Sequence, residues 1–267
     1  MSRDDFDLRV LSLGAGKQSS VLYLGAVEGM FGDPAGMIAI FANTMNERSA
    51  TYAWLDELEQ IGGTVIPILR PSAGNLKEDA LRSMRESPSR FLPIPAYCVS
   101  GQREGMGRRQ CTRSHKLEVI HQEVRRQLGL KRGEVGKGRF RVEVWIGISL
   151  DESHRARPSR YPILGYRWPL LIEQPMTRAD CIRWLEERGH DKVVPSSCWH
   201  CPFKNDRDWM ELRANDPAAW EEAVAFDREI NVEGHYLHVS LKPLGEVELS
   251  GGRQIEMFVG CEGMCGV

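Results

Sequence analysis

The stretch from Leu11 to Leu22 constrains the fold most, because a strand and a helix meet there around a glycine-rich turn. It reads Leu-Ser-Leu-Gly-Ala-Gly-Lys-Gln-Ser-Ser-Val-Leu. Apolar residues precede it in a short run typical of a buried strand, and an apolar stripe at helical spacing follows it. Unpaired N–H groups at a helix start, together with hydroxyls and an ammonium, form a donor site for phosphate. The stretch therefore predicts a strand, a phosphate-binding loop and a helix.

Two better-known phosphate loops do not fit this stretch. A Walker A loop needs a glycine where Leu11 stands and a Ser or Thr where Gln18 stands. A dinucleotide fingerprint needs a third glycine at the position of Ser19. The remaining interpretations are an ordinary glycine turn and a different kind of phosphate loop.

The pattern Ser-x-Gly-x-Gly-Lys-x-Ser-Ser resembles the pyrophosphatase loop (PP-loop) of the adenine nucleotide alpha hydrolase superfamily. The resemblance implies that the loop binds ATP with Mg²⁺, or the phosphosulfate of an adenylyl sulfate, at the end of the first strand. Lys17 would also serve catalysis. The superfamily's usual acidic residue is replaced by Gln18. The nucleotide-binding residues implied are Ser12, Leu13, Gly14, Ala15, Gly16, Lys17, Gln18, Ser19 and Ser20.

Length and composition predict a globular chain with a large core. The chain has 267 residues, of which 42% are hydrophobic, enough for one α/β domain with an appended lobe. No apolar run approaches the roughly twenty residues that span a bilayer, and the acidic N-terminus does not resemble a signal peptide. We therefore expect a cytoplasmic protein without a membrane partner. An oligomer is compatible with the sequence.

The formal charge is nearly balanced over the whole chain, but one segment has a large excess of basic residues. A net charge of -2 predicts no general attraction to nucleic acid. The segment from Arg103 to Arg141, however, contains twelve basic residues and four carboxylates. This segment predicts an anionic partner.

Alternating strand and helix patterns predict an open, mostly parallel twisted sheet flanked by helices. Residues 1–195 would form the nucleotide-binding α/β domain, and residues 196–267 a small helical lobe that carries cysteines. Segment 87–110 is rich in Pro, Gly and Arg and predicts a long irregular loop. The predicted strands are 36–42, 64–69, 141–149 and 166–173, and the predicted helices are 50–61, 75–86, 111–128, 181–188, 206–213 and 217–230.

Polar residues follow two of these strands. Asn43, Thr44 and Glu47 come after the second strand, where the PAPS reductase branch of the superfamily has Asp-Thr-Gly and a downstream Glu. The resemblance places them near the ribose or base; a capped polar loop is the other interpretation. Gly147 and Glu152 keep the outline of a superfamily segment that borders the nucleotide, with Ser149 at its arginine position. Glu152 is a candidate catalytic residue, and a salt-bridged surface loop is the alternative.

The seven cysteines indicate metal or redox chemistry rather than a disulfide framework. Cys198 and Cys201 form a C-x-x-C knuckle, whose two sulfurs can converge on one metal. Cys111 opens a helix beside Arg109 and Lys116, which lowers a thiol pKa. Arg109 is a further candidate for catalysis.

The cysteine segments also resemble PAPS and APS reductases. The Cys111 segment is similar to their Cys-Cys-x-x-x-Lys helix start, with Thr112 in place of the second cysteine. The resemblance implies a [4Fe-4S] cluster on Cys111, Cys198, Cys201 and Cys261, with Cys98 or Cys265 as other fourth ligands. Zinc, held by four sulfurs or by three sulfurs and His200, is the alternative. The reductases end in a mobile cysteine, which Cys265 matches.

Two reactions and one non-enzymatic role are consistent with these residues. In the first, the enzyme adenylates an acceptor, which could be a nucleic acid, and sulfur from a donor then displaces AMP. In the second, Cys265 or Cys261 attacks an adenylyl sulfate and sulfite is released, with a reductant protein as partner. The third is a zinc-stabilised module that binds nucleotide or nucleic acid. The departures at Gln18, Asn43, Thr112 and Ser149 favour the first reaction.

Overall fold

The chain folds around a five-stranded, all-parallel sheet in this computed structural model, which describes residues 5–86, 92–100 and 103–250. The strand order across the sheet is β3-β2-β1-β6-β7, and helices flank the sheet. The predicted α/β class is therefore confirmed. The strands of the sheet are β1 (Leu8–Ser12), β2 (Met37–Ile40), β3 (Ile68–Leu69), β6 (Val142–Ile146) and β7 (Leu164–Arg167).

Both faces of the sheet are covered, as parallel sheets require. Leu11 pairs with Trp145 in register, and both point into a core built with α1 (Lys17–Val27), α2 (Ser49–Gly62) and α7 (Arg178–Glu186). Their neighbours Val10 and Val144 point to the opposite face, where they pack against α5 (Glu118–Gln127). This alternation follows from the two-residue period of a strand. Cys181 is buried in the first of these cores.

The strand order reverses beside β1. The chain first builds outward from β1 through β2 to β3, and later returns to place β6 and then β7 on the other side of β1. In open parallel sheets, ligands bind at such a switch point, beyond the carboxyl ends of the strands. The turn after Ser12 and the turn after Ile146 therefore meet where a ligand is expected.

A second, antiparallel sheet takes two of its three strands from the segment that was predicted to be irregular. It consists of β4 (Tyr97–Ser100), β5 (Arg103–Met106) and β8 (His235–Tyr236), in the order β5-β4-β8. The prediction of a long loop over 87–110 is wrong for this part. Tyr97 pairs with Tyr236, which is far away in the sequence. No local sequence pattern therefore predicts this pairing.

A third hydrophobic cluster surrounds this small sheet. It joins α3 (Leu76–Glu86) to α8 (Asp206–Asn215) and α9 (Pro217–Asn231). Trp209 and Phe226 are fully buried in it. Residues on both sides of the predicted boundary at 195/196 share this cluster.

Several elements differ from the sequence predictions in detail. A strand was predicted over 166–173, but β7 ends at Arg167 and a short helix, α6 (Pro169–Ile172), begins at the proline. The helix expected from Cys111 starts as α4 (Gln110–Thr112) and continues through a π-helical turn, Arg113–Leu117, before α5. Such turns occur often at functional sites. Two 3₁₀ turns cover Leu150–Arg155 and Leu244–Glu246. None of the helices in the described ranges could cross a membrane.

Candidate functional site

The loop between β1 and α1 has the backbone of an anion site. Ala15 adopts a left-handed conformation with φ of 56°, which is unusual for a residue that has a Cβ. The left-handed residue of this turn is Ala15 rather than either glycine. The N–H groups of Gly14, Ala15 and Lys17 have no hydrogen-bond acceptor within the described chain. The buried Ser12 hydroxyl also lacks a partner there. Strained backbone and unpaired donors together are features of binding loops.

The side chains that follow the loop fix the start of α1. Ser19 Oγ accepts from Gly16 N at 3.1 Å, and Ser20 Oγ accepts from Trp54 Nε1 at 2.8 Å. These two hydroxyls, predicted to hold phosphate, are thus engaged within the protein. Gln18 Nε2 donates at 3.4 Å to both Ser149 Oγ and Glu152 Oε2. The loop after β6 is therefore tied to the loop after β1.

Gly147 permits this contact between the two loops. A Cβ at this position would lie 3.0 Å from the N and Cα atoms of Ser19. Glu152, the predicted catalytic carboxylate, is buried and also pairs with Arg155 at 2.7 Å. In the structure, Glu152 is a buried side chain that supports the start of α1 by accepting a hydrogen bond from Gln18.

A cleft of about 560 Å³ opens beside the start of α1. Its lining includes Lys17, Arg109 and Cys201, which were predicted from three separate sequence segments. Seven cationic and three acidic residues line the cleft, so its formal net charge is +4. The cationic residues of the lining are Lys17, Arg48, Arg109, Arg178, Lys192, Lys204 and Arg207.

Most of these cations are not neutralised by the protein. Arg48 Nη2 pairs with Glu211 Oε1 at 3.2 Å. Among the residues that the structure describes, no carboxylate pairs with Lys17, Arg178, Lys192, Lys204 or Arg207. Unpaired cations in a concave site concentrate anions there.

Helix starts add to the positive potential. Lys17 and Arg178 are the first residues of α1 and α7, and Arg207 lies in the first turn of α8. The α7 and α8 starts are closed by capping boxes from Thr177 and Asn205. The first turn of α1 contains no acidic residue, so no carboxylate there competes with a bound anion for the positive end of the helix.

Lys204 is a buried cation in the cleft wall. Its side chain is held by Ser197 Oγ, which lies 2.6 Å from Nζ. Burial lowers the pKa of Lys204, the nearby Cys201 opposes this, and the charge of Arg48 lowers the pKa further. The Asp208 carboxylate, which also lines the cleft, raises the pKa of Lys204 and offsets part of the cost of burying its charge. A bound anion would offset more of that cost.

The polar loop after β2 lies in a buried cluster beneath the C-x-x-C knuckle. Glu47 Oε1 lies 3.3 Å from Thr44 Oγ1 and 3.6 Å from Lys116 Nζ. Cys198 Sγ lies 3.4 Å from Thr44 Oγ1 and 3.8 Å from Glu47 Oε1. Asn43 Oδ1 accepts from the Tyr52 hydroxyl at 2.8 Å. These predicted ribose or base contacts do not line the cleft.

This environment disfavours the thiolate form of Cys198. Burial raises the pKa of its thiol well above the usual value, and the Glu47 carboxylate raises it further, while Lys116 acts in the opposite direction. Sequence reasoning did not identify this pairing of Glu47 with Lys116 and Cys198. The hydrogen bond from Trp199 N to Asn46 O, 2.9 Å long, holds the knuckle against the loop.

The predicted metal ligands come together only in part. Cys111, Cys198 and Cys201 all pack against the third hydrophobic cluster. Within the described ranges, however, no three His, Cys, Asp or Glu side chains are arranged to hold a metal ion. His200 is buried between Trp199 and Phe226 and does not join a ligand set. The described thiols alone therefore do not fit a closed metal site. Cys261 and Cys265 lie outside the described residues, and Cys98 is a free thiol in β4.

The basic segment 103–141 does not form one anion-binding face. Arg126 pairs with Glu123, Arg113 pairs with Glu118, and Arg125 donates to the carbonyl of Lys131. Arg109 is the residue of this segment that lines the cleft. The other cleft cations, which sequence reasoning missed, are scattered along the chain and show no pattern that would link them.

Comparison of the chain with known protein families, with curated proteins and with solved structures finds no match.

Proposed function

We propose that the protein is a PP-loop enzyme that uses ATP to activate an acceptor for sulfur transfer. Its sheet would belong to the adenine nucleotide alpha hydrolase type. The triphosphate of ATP would bind the turn at Gly14 and Ala15, with its charge on Lys17. One observation carries this proposal, namely the cleft in which Lys17, Arg109 and Cys201 meet.

The reaction that this cleft supports begins with attack by an acceptor oxygen on the α-phosphorus of ATP. Pyrophosphate leaves, and the acceptor becomes an adenylate. Lys17 and the N–H groups at the start of α1 would stabilise the charge that develops on the phosphate oxygens. A sulfur nucleophile then forms the new bond to the acceptor, and AMP departs with the former acceptor oxygen.

Release of pyrophosphate is the measurement that tests this proposal. The purified protein should release pyrophosphate from ATP and Mg²⁺ when its acceptor is present, and Lys17→Met should abolish the release. Lys137→Met, at an exposed position, is the matched control and should retain it. Release of sulfite from PAPS or APS, without pyrophosphate release from ATP, would select the reductase instead.

The iron–sulfur cluster stays a prediction. When bound, such a cluster would supply or relay sulfur or electrons, and its candidate protein ligands are Cys111, Cys198, Cys201 and Cys261. Iron and sulfide in anaerobically purified protein would support it. Zinc in a colourless protein that binds nucleotide without turnover would favour the non-enzymatic module.

A further inference from the structure

The wall of the cleft formed by Phe203, Lys204 and Arg207, with Arg48 behind it, is not used by the ATP site proposed above. We refer to these four residues as the α8 wall. All of them line the cleft that also contains Lys17. Arg207 lies in the first turn of α8 and Glu211 one turn later, so both project from one side of that helix.

The cations of the α8 wall form a group. Arg48 and Lys204 are close enough for their charges to repel each other. The Arg48 side chain is only 6% exposed and pairs with Glu211, and the Asp216 carboxylate also lies within electrostatic reach of Arg48. No carboxylate forms an ion pair with Lys204 or Arg207 in the described part of the chain, although the Asp208 carboxylate is near enough to raise the pKa of Lys204. Such a group binds phosphate oxygens, since each bound phosphate relieves repulsion among the cations.

The α8 wall also presents an aromatic ring to the cleft. Phe203 is partly exposed, and the guanidinium carbon of Arg109 lies 5.0 Å from its ring centroid. An aromatic ring beside cations is the combination that binds single-stranded nucleic acid, because bases stack on the ring while phosphates follow the charges. A free nucleotide on the α1 loop would leave this wall unused.

We propose that the α8 wall binds a single-stranded nucleic acid, with backbone phosphates on Lys204 and Arg207 and a base on Phe203. The strand would be the acceptor in the cleft, so its role in the reaction rests on the proposed function. Its binding does not depend on that function, because no residue of the α1 loop belongs to the α8 wall.

Fluorescence anisotropy with labelled single-stranded RNA and DNA of about twelve nucleotides tests this inference. The full chain and the variants Arg207→Ala, Phe203→Leu and Arg213→Ala would be titrated at several salt concentrations. Arg213 is exposed on α8 but does not line the cleft, so its variant is the matched control. Lys17→Met would be tested in parallel for ATP and for the oligonucleotide.

We expect Phe203→Leu to weaken oligonucleotide binding at least about fivefold. Arg207→Ala should weaken it for all sequences and reduce the salt dependence by about one counterion. Arg213→Ala should bind as the unaltered protein does, and Lys17→Met should lose ATP but keep the oligonucleotide. Absence of oligonucleotide binding, or equal losses in Arg207→Ala and Arg213→Ala, would overturn the inference. If Lys17→Met still bound ATP while the oligonucleotide results were as expected, the proposed function would be overturned and the inference would stand.

Discussion

His200, between the two cysteines of the knuckle, shows how burial fixes a single residue's protonation. It is 1% exposed, and neither ring nitrogen has a hydrogen-bond partner within the described chain. Burial lowers the pKa of His200 from 6.5 to about 3, and the charge of Lys204 contributes in the same direction. The ring is therefore neutral in the folded protein at any ordinary pH.

This histidine should make the protein sensitive to acid. Between the folded pKa of about 3 and the unfolded value of 6.5, the unfolded chain binds the extra proton, so stability falls as pH falls through this range. From about pH 7.5 to about pH 5.5, His200 should contribute a loss of about 1.4 kcal/mol in the free energy of unfolding. Urea denaturation at the two pH values measures it.

His200→Phe, which keeps an aromatic ring beside Trp199 and Phe226, should reduce this loss. His154→Gln serves as the control, because His154 is exposed, and it should keep the full loss. An equal loss in both variants would mean that His200 is not the group responsible.

Glu47 and Lys116 form a buried pair whose separation should be costly. Their side chains are 1% and 6% exposed. Glu47→Gln leaves a buried ammonium without its carboxylate, and we expect a loss of about 3 kcal/mol in unfolding free energy. In a double-mutant cycle, Glu47→Gln with Lys116→Met should cost less than the two single losses added together. Simple additivity would show that the two charges do not stabilise each other.

At the scale of elements, the site depends on how closely the end of β6 approaches the start of α1. Gly147 follows β6, and its missing side chain lets the backbone of Ser19 come within contact distance. Gln18 bridges the same two segments. The segment after β6, about 130 residues further along the chain, thus holds the anion loop in place.

Gly147→Ala should displace the start of α1. Since the new methyl group would meet backbone atoms at 3.0 Å, we expect a loss of about 1–3 kcal/mol in unfolding free energy, together with weaker ATP binding. Gly165→Ala in β7 is the control, because its nearest contact would be the Val142 carbonyl at 3.8 Å. Thermal unfolding and nucleotide titration of both variants check this. Equal behaviour would refute the packing argument.

Elements with strong local patterns were predictable from the sequence. The helix expected over 50–61 is observed as Ser49–Gly62, and that over 217–230 as Pro217–Asn231, because each has an apolar stripe over several turns. The pairing of β4 with β5 was missed because the pairing of Tyr97 with Tyr236 supplies stability that local sequence does not encode. The end of β7 was misplaced, although Pro169 is a recognised signal for a helix start.

For the whole molecule, the topology determines which distant residues share the site. The phosphate loop was predictable because its residues are contiguous. The charge of the cleft was not, since Arg48 before α2, Arg178 in α7 and Arg207 in α8 are brought together only by the fold. The contiguous basic segment 103–141 was a poor guide, because Arg113, Arg125 and Arg126 are used in local contacts.

The central claim is that the start of α1 binds the phosphates of an adenine nucleotide. Calorimetric titration of ATP into the full chain and into Lys17→Met and Lys137→Met tests it most directly. We predict that Lys17→Met weakens binding at least about tenfold, a loss of about 1.4 kcal/mol, while Lys137→Met binds as the unaltered chain does. Equal affinity in all three proteins, or no binding to the unaltered chain, would contradict the claim.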